Sequence, residues 1–131
     1  MNMRLIILFI ATITLVWGGN FSDGMRAYRA QNYEKAKEAF EKAVEEDGAV
    51  QAHYFLGLLY LKGLGTTKNR LKAKNHFELA AQYGNARARC YLAEIYLKEH
   101  KKSRAVSLLK EGLKDGAQEC ENIAKENKIS L

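Results

Sequence analysis

From residue 21 to residue 128 the apolar positions fall three and four apart, the period that lays one stripe along a helix. Ala52, Leu56, Gly57 and Tyr60 return as Ala88, Leu92, Ala93 and Tyr96, every position displaced by 36. A second stripe, Ala36, Phe40 and Ala43, returns displaced by 37 as Ala73, Phe77 and Ala80. It returns again, displaced by a further 32, as Ala105, Leu109 and Gly112, because the loop before it is shorter. Gly48, Gly84 and Gly116 close successive units, each supplying the left-handed backbone that stops a helix. Small residues let two helices approach closely while Leu, Phe and Tyr on the same face fill the gap. One such pair cannot bury its stripe alone, so neighbouring pairs stack and share one core.

The spacing predicts helices over 21–30, 33–46, 50–61, 71–83, 86–98, 103–114 and 118–126. Asn69 is the expected cap of the fourth and Ser103 of the sixth. The last helix sets Glu119, Glu121, Asn122, Lys125 and Glu126 against Ile123 and Ala124, the two-sidedness a closing helix needs. The fold class is therefore all-α, an α-α superhelix of antiparallel helix pairs with about three and a half repeats. Its units cover about 21–48, 49–84, 85–116 and a half unit 117–131 of one domain, 20–131.

Residues 1–19 stand outside this pattern. Arg4 is followed by 13 residues without a charge, 5–17, where a membrane-spanning helix needs roughly 20. A short basic start, an apolar core and the small residues Val16 and Gly18 fit an export signal cleaved after Gly18. An uncleaved N-terminal anchor is the alternative. Either places the body outside the cytoplasm, in a periplasm or secreted, with no membrane association after cleavage.

At these residues the chain resembles the tetratricopeptide-like superfamily and, in its middle, the Sel-like repeat (SLR) subfamily. Residues 52–84 carry the Sel-like pattern in Ala52, Leu56, Gly57, Tyr60, Gly63, Gly65, Lys72, Ala73, Phe77, Ala80, Ala81 and Gly84. The first unit is closer to a plain tetratricopeptide repeat, with Gly24, Tyr28, Tyr33, Ala36, Phe40 and Ala43. The third departs in having Glu99 for the first loop glycine. The resemblance implies a right-handed solenoid whose first helices line a concave groove. Carried over by repeat register, the groove positions are Gln51, Tyr54, Leu58 and Lys62, then Arg87, Cys90, Glu94 and Lys98. Tyr28 and Arg29 are the first unit's nearest equivalents. That makes an amphipathic, slightly basic groove, although Tyr54 and Leu58 could equally serve to pack against the neighbouring unit. The function implied is an exported, monomeric scaffold that binds a protein or peptide, an acidic one suiting the basic rim.

Composition and chemistry change this picture little. The 131 residues include no Pro and carry a formal charge of +6, from 21 basic and 15 acidic residues mixed along the helices. The basic clusters around Lys68–Arg70–Lys72–Lys74 and Lys98–His100–Lys101–Lys102–Arg104 do not merge into an aromatic-interleaved stripe, so no nucleic acid is expected. His53, His76 and His100 form neither HExxH nor an i,i+4 pair, so no metal or other cofactor is assigned and packing is the reading for His53 and His76. Ser107 and Lys110 form a lone S-x-x-K without the other elements of penicillin-recognising serine enzymes, and no catalytic residue is assigned. A β-lactam-binding or hydrolysing envelope protein is nonetheless the alternative function, because secreted cysteine-rich SLR relatives carry that label. Cys90 and Cys120 fall in first helices of adjacent units, which permits one disulfide in an oxidising compartment. They sit two register positions apart, which turns the thiols through about half a circle. Two buried free thiols are the other reading.

Overall fold

The computed structural model describes residues 19–131. The export-signal reading therefore lies outside the described residues, except that Gly19 opens the first helix. Among the described residues there are seven helices: α1 (Gly19–Arg29), α2 (Tyr33–Asp47), α3 (Ala52–Lys62), α4 (Arg70–Gln82), α5 (Ala86–Lys98), α6 (Lys102–Lys114) and α7 (Gln118–Glu126). No strand occurs among the described residues. Helices pack in successive pairs, α1 with α2, α3 with α4 and α5 with α6. Each pair leans on the next through α2–α3 and α4–α5, and α7 closes the stack against both α5 and α6. This is an all-α arrangement of about three and a half helical repeats.

Local chemistry explains the boundaries. Asn69 caps α4 as expected, its side chain accepting from Lys72 N at 2.9 Å. Asn85 does the same for α5 through Ala88 N at 2.9 Å, and Asn32 for α2 through Lys35 N at 3.4 Å. Ser103 does not cap α6. His100 takes the left-handed backbone (φ +61°) just after α5, so the chain re-enters the helix at Lys102 with Lys101 in the cap position. Helix α3 begins two residues later than the spacing predicts, because Ala52 N and His53 N bond to Ala49 and Val50 carbonyls as a tight turn. Gly48, Gly84 and Gly116 all have positive φ, as the unit ends require. At Gly65 a Cβ would run into the backbone of Tyr33 and Glu34, so the α3–α4 loop can lie on the start of α2 only without a side chain there.

The shared seam is visible in repeated contacts. Phe40 presses its ring onto Gly24, and Phe77 presses onto Gly57, in each case leaving 2.6 Å for a Cβ. At the corresponding register the third pair carries Leu109 and Ala93, both fully buried. The ring is exchanged for a smaller side chain where the glycine becomes alanine. Tyr60 and Tyr96, 6% and 1% exposed, occupy matching places between second helices. Tyr60 Oη donates to Glu41 at 3.4 Å and Tyr96 Oη to Glu78 at 3.0 Å. Cations cover both rings, Lys72 at 5.2 Å over Tyr60 and Arg104 at 4.7 Å over Tyr96. Each phenol thus satisfies its one donor while its ring fills the seam. Phe55 packs against the core of the first unit and that of the later units alike, which makes the interior continuous.

Cys90 of α5 and Cys120 of α7 are joined as a disulfide, with Cα atoms 4.7 Å apart. Where the other second helices place Ala43 and Ala80, α6 has Gly112, whose absent Cβ leaves the space that both sulfurs occupy. The half-circle offset between the two cysteine positions is absorbed by the approach of α7, which touches both helices of the third unit.

Candidate recognition surface on the first helices

Helices α1, α3, α5 and α7 bring their side chains to one face, where Tyr54 senses Tyr28, Tyr91, Arg87 and Glu119. An aromatic ribbon runs across it. Tyr28 meets Tyr33 at 5.5 Å and Phe55 at 5.5 Å, both edge to face. Phe55 meets Tyr54 at 5.1 Å, and Tyr54 meets Tyr91 at 6.2 Å. Beneath the ribbon Phe55 stacks on Phe40 and Tyr91 on Phe77, so the outer rings are held by the inner ones. Tyr28, Tyr33, Phe55 and Tyr91 each keep part of their surface toward solvent.

The register positions divide into three groups. Tyr54 and Leu58, 7% and 5% exposed, are packing residues rather than groove lining. Both belong to the core shared with α5, Tyr54 with its ring 6.2 Å from that of Tyr91. Gln51, Lys62, Arg87 and Lys98 are exposed and Glu94 is half-exposed. Arg87 is paired with Glu119 at 3.0 Å and Lys98 with Glu94 at 3.5 Å, so this part of the rim carries neutralised pairs in place of net basic charge. Cys90 is consumed by the disulfide. Phe55 and Tyr91 were missed by the register argument, yet the displacement of 36 that relates Tyr60 to Tyr96 also relates them.

Burial raises the hydroxyl pKa of Tyr28, Tyr54 and Tyr91. At Tyr28 the neighbouring Tyr33 adds to it; at Tyr91 the carboxylates of Glu119 and Glu94 do. All three phenols therefore stay protonated through neutral and mildly alkaline pH, as donors on an aromatic face.

Other candidates do not converge. Ser107 is exposed and donates to Glu111 at 3.4 Å along α6. An indentation of about 430 Å³ between α4 and α6 is floored by Tyr96 and Leu92, but Glu78 and Arg104 already engage the Tyr96 hydroxyl and ring. Among the described residues no three His, Cys, Asp or Glu side chains gather as a metal site. No described helix is long and apolar enough to cross a membrane. His53 and His76 do pack, and against each other: their Nδ1 atoms stand 3.0 Å apart, with His76 also stacked on Tyr60.

No family model and no solved structure matches this chain.

Proposed function

We propose that the chain is an exported recognition scaffold of the tetratricopeptide-like, Sel-like class that binds a protein or peptide segment along the first-helix face. The observation that carries this reading is the ribbon of Tyr28, Phe55, Tyr54 and Tyr91, an aromatic surface pinned from below and spread over three repeats. Rigid aromatic rings with protonated hydroxyls supply contact area at small entropic cost, the chemistry that binding hot spots use. Paired charges at Arg87–Glu119 and Glu94–Lys98 border it, so the partner presents apolar side chains and free backbone carbonyls more than net charge. Catalysis plays no part in this role.

A photoreactive phenylalanine placed at Tyr28 or Tyr91 in cells tests the reading, with Leu79 on the outer face of α4 as the control. One partner should be captured from both first-helix positions and not from position 79. Equal capture at all three positions would refute a dedicated face. Turnover of a chromogenic cephalosporin that disappears in Ser107→Ala would replace the reading with a β-lactam hydrolase.

A further inference from the structure

His53 on α3 and His76 on α4 are not demanded by the fold. In the first unit, where Gly24 answers Gly57 at a displacement of 33 and Phe40 answers Phe77 at 37, their places are taken by Asn20 and Ala39; in the third, at displacements of 36 and 32, by Arg89 and Leu108. Those units pack as well without imidazoles. In the second unit the two rings lie 5.3 Å apart and aim Nδ1 at Nδ1 across 3.0 Å. The Tyr60 ring is parallel to His76, with 5.7 Å between centroids, and fixes its orientation. Both imidazoles remain half-exposed, so solvent reaches the pair.

Two nitrogens facing each other can share one proton or hold one metal ion. Bonds of about 2.0–2.1 Å to nitrogens 3.0 Å apart subtend roughly 90–100° at the metal. That is the cis angle of a tetragonal ion; a tetrahedral ion would need the nitrogens about 3.3–3.4 Å apart. We propose that His53 and His76 form a two-nitrogen site for a divalent late-transition ion of tetragonal preference, Cu²⁺ binding more tightly than Ni²⁺. Water completes the coordination on the open side. Burial holds both imidazoles neutral at pH 7, so the ion displaces no proton from a charged ligand. Of the charged groups facing His76, the Glu41 carboxylate favours a cation and the Lys72 ammonium opposes it. Lys37 is engaged with Glu41 at 3.1 Å.

The experiment is titration of the full chain with CuCl₂ and NiCl₂, read by calorimetry and, for copper, by electron paramagnetic resonance. One ion per chain is expected, with hyperfine coupling from two imidazole nitrogens. His53→Asn and His76→Leu use residues the chain itself places at those registers, so helicity should be retained. Each should lower affinity by at least about tenfold, because one of two protein ligands is gone. Lys72→Met should tighten binding, and His100→Ala should leave it unchanged. Unaltered uptake by the folded His53→Asn and His76→Leu variants would overturn the proposal, as would no uptake by the parent chain.

Discussion

Gly57→Ala tests the seam most directly. In an exposed helix this change is favourable by about 0.8–1.0 kcal/mol, through backbone entropy alone. Here the new methyl would stand 2.6–2.9 Å from three atoms of the Phe77 ring, which is itself fully buried. Such overpacking costs typically about 1–3 kcal/mol, so the net effect should be destabilising in spite of propensity. Phe77→Leu alone leaves a gap above the glycine and should cost about 1–2 kcal/mol. The double variant should recover much of both losses, because it reproduces the buried Ala93 and Leu109 pair of the third unit. Urea denaturation of the four proteins gives the coupling, expected at about 1–3 kcal/mol in favour of the double change. If the two single effects simply add, within about 0.5 kcal/mol, the claim that ring and glycine are one packing unit is wrong.

Further consequences are more local. Removing the Cys90–Cys120 disulfide, which closes a separation of 30 residues, should cost about 3–4 kcal/mol by loop entropy, read as a shift of the urea midpoint under reductant. Gly112→Ala should destabilise the oxidised protein but become near neutral once both cysteines are alanine, as at Ala43 and Ala80; equal cost in both backgrounds would contradict the space argument. His76 has its pKa lowered from 6.5 to about 4, first by burial and then by His53, so the unfolded chain binds more protons between those values. Stability from this group is complete above pH 6.5 and falls as pH drops toward 4; His76→Leu should flatten that slope in pH-dependent thermal melts. Asp47 ends α2 with Oδ2 buried and unpartnered, against the helix dipole, so Asp47→Asn should raise stability by about 0.5–1 kcal/mol in the same melts.

The repeat was legible in the sequence because its determinants are steric and recur with the same displacement. Tyr60 and Tyr96 could be matched from spacing alone, and their surroundings agree down to the carboxylate each hydroxyl meets. Element ends were less legible for a physical reason. A helix start depends on one or two backbone angles, and His100 in the left-handed region moves the start of α6 past any cap that Ser103 could form. Asn32 and Asn85 carried the usual capping chemistry just ahead of an apolar stripe, a signal present but unread.

The proposed groove was harder to see because one register position serves two ends. On α3 the position that faces along the groove also faces the next repeat, and which role prevails depends on what stands opposite. Tyr54 and Leu58 are buried in the core shared with the third unit. One residue further along the helix, Phe55 and Tyr91 stay between core and solvent and carry the surface. At the same register as Tyr54, Cys90 is tied to α7, so the third unit has its aromatic only at the shifted position. The proposed recognition face is thus built from residues at the edge of the packing stripe. Their identity follows from the recurrence of an aromatic at a fixed displacement, not from the register of the tetratricopeptide-like resemblance.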